Sequence, residues 1–417
     1  MGWFARASER AASRPRHLAA LGMLGLAFAI GTAGCQPDVT GGGNRAQVRI
    51  VGAVGSGLPK RKINPEAGSV TQVLAFQFVG VAQRSPVGAD GRFEVRIDRN
   101  RPCGLVFLDA ADRVAGYLSL GSGVDSLPIT RLDASLGELD LSTIDFVNGE
   151  GTPANNPIAP GGELELVGDE LVAYRAQQAL FSTIIRNMDM NGDGVLDVLS
   201  ERPYWLAFRF VFRGPLVASS DPAGTAALPT VDSVGLLFSD YQPTVAQPPA
   251  TLVLANGITV SNPQLGMRWA GHVDGRELPT YQFGVPGLAQ ADAGTYAISY
   301  DAGPRRLSFV LDSPIALDDY ITGTDVWVSR PDAQRTTFHW RWSRLDGTPV
   351  EGAALLVNVV LQVDFDDGRP SSFANADPSA TELTVPVDEA SWAHVRGISL
   401  AVRDVFGNDL QTAYPTR

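Results

Sequence analysis

The sequence predicts a mainly β protein, built as tandem β-sandwiches with one short helix and an acidic loop between them. Three observations predict it. Over most of the chain apolar and polar residues alternate with a period of two, the signature of half-buried strands. The 44 glycines and 28 prolines punctuate those runs, at the spacing of roughly 8–12 residues that sandwiches show. One stretch, Asp169 to Met188, instead repeats Leu171, Tyr174, Phe181, Ile184, Ile185 and Met188 near a helical period.

The chain opens with Arg6, Arg10, Arg14 and Arg16, followed by an uncharged run from Leu18 to Ala33. That run is shorter than the ~20 residues a spanning helix needs. It ends in Thr32-Ala33-Gly34-Cys35, then Gln36. Residues 1–34 have the layout of a secretory signal, and Thr32-Ala33-Gly34-Cys35 resembles the lipobox of bacterial lipoproteins. Thr32 departs from that pattern, which has Leu three residues before the Cys. The resemblance implies that Cys35 carries lipid and becomes the first mature residue. Two or three acyl chains hold a protein on a membrane where one does not. It also implies a cell-envelope location, and Gln36 in place of Asp favours the outer membrane over inner-membrane retention. Residues 35–45, with Gly41, Gly42 and Gly43, read as the lipidated Cys and a flexible tether.

Charge and cysteine content agree with export. The chain has 33 basic and 45 acidic residues, a net charge of −12. Nucleic acid is therefore excluded as a partner, as is electrostatic docking on anionic lipid. Cys103 is the only cysteine besides Cys35, so a lipidated chain has no intramolecular disulfide. Cys103-Gly104-Leu105-Val106-Phe107-Leu108 reads as a buried strand.

A first sandwich is expected over 46–148. Its strands run Gln47–Val54, Val73–Val79, Phe93–Ile97 after the turn Asp90-Gly91, Gly104–Ala110, Gly116–Leu120 and Gly137–Ile144. Asp90-Gly91-Arg92-Phe93 and the closing Leu139-Asp140-Leu141-Ser142-Thr143-Ile144 resemble the carboxypeptidase regulatory-like, or transthyretin-like, β-sandwich. That resemblance implies a non-catalytic stalk or binding module.

Residues 149–202 read as a Pro/Gly-rich loop, the helix, and the run Asp189-Met190-Asn191-Gly192-Asp193-Gly194-Val195-Leu196-Asp197. This run matches the start of a calcium loop: alternate oxygens turn inward, and Gly194 lets the backbone reverse. Asp189, Asn191, Asp193, the Val195 carbonyl and Asp197 are the expected ligands. Ser200 stands where an EF-hand has its bidentate Glu, and Glu201, one residue late, is an extra candidate. The loop resembles those of dockerins and thrombospondin type 3 repeats, with structural calcium held at roughly 10⁻⁴ M or weaker.

Residues 203–331 read as an Ig-like β domain. Tyr204, Leu206, Phe208, Phe210 and Phe212 share one face of a strand. Asp292-Ala293-Gly294-Thr295-Tyr296 resembles the tyrosine corner of immunoglobulin domains. Residues 332–417 resemble a fibronectin III or Ig-like domain. Phe338, Trp340 and Trp342 share a face of its early strand, as core or as a platform for sugar rings. Gly397 to Asn408 resembles its closing hairpin, with Gly407-Asn408 at the turn. Asp364, Asp366 and Asp367 before Gly368 read as a solvated turn.

Catalytic spacing is missing from the sequence. His17, His272, His339 and His394 form no zinc pair, and no Gly-x-Ser-x-Gly elbow or P-loop is present. The expectation is a non-catalytic envelope protein for adhesion, scaffolding, or binding an unknown protein or glycan. The alternative is an accessory or catalytic part of a system that degrades surface polysaccharide or peptide.

Overall fold

The computed structural model describes residues 47–55, 67–77, 83–190, 192, 196, 204–240, 249–261, 264–265, 269–273, 276–278, 280–286, 290–300, 306–351 and 355–417. The fold is mainly β, a succession of sandwich units. Cys35, Asn191, Asp193, Val195, Asp197 and Glu201 lie outside the described residues.

The first unit contains β1 (Gln47–Val54), β2 (Gln72–Gln77), β3 (Gln83–Pro86), β4 (Arg92–Asp98), β5 (Cys103–Leu108), β6 (Val114–Leu118), β7 (Glu138–Val147) and β8 (Glu150–Pro153). They form one sheet in the order β3-β2-β5-β6-β8-β7-β1-β4. Strands β3 and β4 stand at opposite ends of that order, yet a short turn joins them, with Gly88 N donating to Arg92 O at 2.7 Å. The sheet therefore curls upon itself and encloses its own core. Gly91 makes the turn with φ +81°. A side chain there would meet the Val54 carbonyl as well as the left-handed backbone. Inside, Phe107 lies edge-on to Phe93 at 6.0 Å and to Phe146 at 4.9 Å. Cys103 is fully buried, and burial pushes its thiol pKa far up, so it serves as a small core residue. Strand β8 lies within the stretch expected to be loop. It forms because β6 and β7 supply partners on both sides.

Helix α1 (Gly168–Arg186) follows. The second unit then comprises β9 (Tyr204–Arg213), β10 (Thr230–Asp240), β11 (Pro249–Val253), β12 (Thr259–Ser261), β13 (Gln264–Leu265), β14 (Trp269–Val273), β15 (Arg276–Leu278), β16 (Thr280–Pro286), β17 (Gly294–Tyr300), β18 (Arg306–Leu311), β19 (Ile321–Asp332), β20 (Arg335–Arg344), β21 (Leu356–Phe365), β22 (Ser372–Ala376), β23 (Glu382–Val385), β24 (Val395–Asp404) and β25 (Asp409–Pro415). The short helix α2 (Glu389–Trp392) precedes β24.

A large sheet runs β13-β16-β10-β9-β25-β24-β21-β22. Its centre is the parallel pair β9/β25, with Phe210 opposite Leu410. Phe208, Phe210 and Phe212 project to the one covered face and are buried. The small sheet β12-β11-β17-β18 covers one half of that face: Phe208 and Leu236 meet Leu252 and Tyr296. The sheet β19-β20-β23 covers the other half. There the Tyr414 hydroxyl donates to Gly323 O, and the hydroxyls of Thr322 and Thr412 meet at 2.7 Å. The expected division at 331/332 falls in the β19–β20 hairpin. Strands from both sides of it build the large sheet, because β9 finds its neighbour in β25.

Phe338, Trp340 and Trp342 are buried beneath this second layer and form core. Tyr296 is buried, and its hydroxyl donates to Asp292 O at 2.8 Å, the bond that closes a tyrosine corner.

Candidate functional site at the helix junction

Helix α1 joins the two units, and its sequence explains how. Asp169 and Glu170 stand in its first turn and Arg186 in its last, each favourable to the helix dipole. The apolar residues do not form a single stripe. Phe181 stacks on Phe76 of the first unit at 5.3 Å and lies 5.4 Å from Phe406 of the second. Tyr174 meets Phe406 edge-on at 5.2 Å. Ile185 packs against Gly104 of β5 so closely that a side chain there would overlap it.

Ion pairs bolt both ends of the helix to both units. Near the N-terminus, Glu170 pairs with Arg131 of the first unit, and Asp169 with Arg344 of the second at 2.9 Å. At the C-terminus, Arg186 reaches Asp125 at 2.7 Å and Asp312 at 3.0 Å. The Arg186 guanidinium also lies 5.0 Å over the Tyr117 ring. Asp125 is buried, and desolvation raises its carboxyl pKa despite Arg186.

The mid-section is held by buried polar groups. Ser126 Oγ donates to Gln178 Oε1 at 2.8 Å, and Gln178 Nε2 donates to Gly123 O at 2.5 Å. On the other side, Asn408 Nδ2 donates to Gln177 O and to Asp404 Oδ2, each at 2.8 Å, while Asn408 Oδ1 accepts from Phe208 N at 3.0 Å. The residue expected to turn a hairpin thus also fastens helix α1 to β9. Asp404 is fully buried and accepts from the amides of Phe406 and Asn408, both at 2.9 Å. Burial outweighs these donors and raises its pKa to about 7.

Beside the helix lies a cleft of about 390 Å³, large enough for a small ligand. Helix residues Val172, Arg175, Ala179 and Ser182 form one wall, and the segment from Leu311 to Asp319 forms the other. Arg186, paired with Asp125 and Asp312 across it, holds the units together.

The expected calcium ligands begin where the helix ends. Asp189 is exposed, and Met190 is buried with its carbonyl accepting from Ser308 N at 2.9 Å. Among the described residues no group of three or more His, Cys, Asp or Glu is placed to hold a metal. In the second acidic cluster, Asp364 accepts from Gln362 and Ser371. Asp366 meets His394 and Arg417, and Asp367 pairs with Arg369. That cluster is a turn whose charges are already engaged.

A second cluster escaped sequence reasoning. On the outer face of the β19-β20-β23 sheet, Ser329 Oγ lies 2.7 Å from His339 Nε2, and His339 Nδ1 lies 3.1 Å from Glu382 Oε2. The three residues come from three strands, so no local motif announces them. Only the register, which sets His339 opposite both Trp327 and Glu382, brings them together.

No family model matches the chain. It is similar to Lipoprotein LpqB of Mycobacterium leprae (strain TN), 30% identical over 119 residues, which is 28% of this chain. The chain spans about a fifth of that curated relative, 19% of its length. Among solved structures, a chain from a structural study of host cell surface retention of a 1.5-MDa bacterial ice-binding adhesin aligns over 88% of this chain and 96% of that solved chain, at 12% identity and a TM-score of 0.18. A two-domain fibronectin type III segment of chicken tenascin aligns over 45% of this chain and 94% of its own, at 14% identity and a TM-score of 0.16. TM-scores this low carry no functional weight.

Proposed function

We propose that this chain is a lipid-anchored protein of the bacterial cell envelope, whose main role is to bind or scaffold a protein or glycan partner. The run from Leu18 to Cys35 carries this reading. The partial similarity to a lipoprotein supports it. Cys35 holds the lipid, residues 36–45 form the tether, and the two bolted units stand out from the membrane. Gln36 favours the outer membrane. Labelling cells with an alkynyl fatty acid tests the anchor. The wild-type chain takes the label and sediments with membranes; Cys35→Ala takes none and is released. A membrane-bound, unlabelled wild type overturns the reading.

Calcium is the proposed cofactor, held by Asp189, Asn191, Asp193, the Val195 carbonyl and Asp197, with Glu201 as a further ligand. The loop directly continues the helix that joins the units, so an ion there stiffens the connection. Millimolar calcium is expected to raise the melting temperature of the wild type and to leave Asp189→Ala unmoved. A wild type equally indifferent to calcium rules the ion out.

A further inference from the structure

We infer that Ser329 is a base-activated nucleophile that accepts acyl groups from esters, with His339 as its base and Glu382 as the residue that orients the base. This goes beyond the anchoring role and does not depend on it.

The geometry has the order that such chemistry requires: a nucleophile hydrogen-bonded to a base, and a carboxylate beside the base's other ring nitrogen. Ser329 Oγ meets His339 Nε2 at 2.7 Å, and Glu382 Oε2 meets the opposite ring nitrogen at 3.1 Å. The negative charge of a carboxylate at that distance favours the tautomer with the proton on Nδ1. Nε2 is then bare and accepts from the serine hydroxyl.

The imidazole is held as well as hydrogen-bonded. Its ring stacks on Trp327 at 4.8 Å and 9°. The Arg341 guanidinium lies 4.9 Å from the centre of the Trp327 ring, and Asp221 and Asp325 hold that guanidinium at 2.8 and 3.0 Å. Together these contacts fix the base before substrate arrives. Ser329 is exposed and sits near the end of an edge strand, so an acyl donor reaches it without opening the fold. Val328 N donates outward to Ala218 O at 3.0 Å. The site lies open on a sheet face, so it suits exposed, activated or polymer-borne esters rather than a small molecule enclosed in a pocket.

The step balances within these residues and water. Ser329 Oγ bonds to the ester carbonyl carbon as its proton passes to His339 Nε2. The carbonyl–oxygen bond to the leaving group then breaks, and the imidazolium returns its proton to the departing oxygen. Water, deprotonated by the same nitrogen, releases the acid and restores the serine.

The test is acetylation of the full chain by p-nitrophenyl acetate, read as p-nitrophenol released and as the acetylated residue found by peptide mass spectrometry. Acetyl on Ser329 is expected. It should be absent in Ser329→Ala, slowed about a hundredfold in His339→Gln, and slowed several-fold in Glu382→Gln. An unchanged melting temperature checks that the Ser329→Ala and Glu382→Gln variants, both at exposed positions, remain folded. Three results overturn the inference: no acetyl on Ser329, equal acetylation in His339→Gln, or full p-nitrophenol release in Ser329→Ala, which marks the imidazole as the nucleophile. The fatty-acid labelling of Cys35 reads separately from all of these.

Discussion

In the N-terminal sheet, the most widely separated paired residues are Ala53 with Thr143 and Val54 with Ile144. In the large C-terminal sheet, Arg209 stands opposite Asp409, and strands of intermediate position fold into two covering layers. The first sheet closes by curling, so its two ends meet through a turn. The second stays open and is closed by other sheets laid upon it. A unit of the first kind carries its instructions locally. A unit of the second kind depends on partners far along the chain, and on the helix that ties it to the first.

That contrast can be broken at the helix. Phe181→Ala removes the one ring shared between Phe76 and Phe406 and should cost about 3–5 kcal/mol. Calorimetry should then resolve two unfolding transitions where the wild type gives one. A single transition in the variant would mean that the units are coupled by something other than α1.

The next largest effect concerns pH and belongs to the second unit alone. The Asp404 carboxyl is raised from 3.8 to about 7 on folding. The folded chain therefore holds a proton that the unfolded chain has released, and stability falls as pH rises from about 4 to about 7. The full cost, at most about 4 kcal/mol, is present above pH 7. Denaturant titrations at pH 5 and pH 8 should differ in this direction more for the wild type than for Asp404→Asn. An identical pH difference in the two proteins would remove Asp404 as the cause.

Arg186→Gln sharpens the comparison from the other side. It leaves Asp125 buried without its cation while also releasing the exposed Asp312. Complete burial would cost more, but Arg186 keeps 31% of its side-chain surface exposed, so about 2 kcal/mol is expected. Hydrogen exchange should quicken first in the last turn of α1. Smallest of all is Arg49→Ala, which removes exposed pairs to Glu94 and Glu138 within the first sheet. Under 1 kcal/mol is expected, and a chemical denaturation midpoint suffices to check it.

What the sequence disclosed follows the same division. Strands β1, β4 and β7 and helix α1 were readable, because alternation, an Asp-Gly turn and a helical period are properties of adjacent residues. That Phe208, Phe210 and Phe212 share a face followed from one strand's pattern. The partnership of β9 with β25 was not readable, since period-two strands look alike until they pair. Hence the division expected at 331/332 falls inside a hairpin. Asn408 was legible as a turn residue and illegible as a fastener of helix α1. Ser329, His339 and Glu382 are ordinary strand residues until the register of three strands aligns them.

The parallel seam between β9 and β25 has a consequence for how the chain is made. Strand β9 emerges about 200 residues before its neighbour (Arg209 against Asp409). Throughout that interval its outer edge has backbone donors and acceptors without partners, beside three phenylalanines. Such an edge pairs with whatever strand comes first, including one from another molecule. The first unit, whose partners arrive early, is complete while the second still waits. The hazard is one of timing: a half-built sheet must be shielded until its central strand arrives.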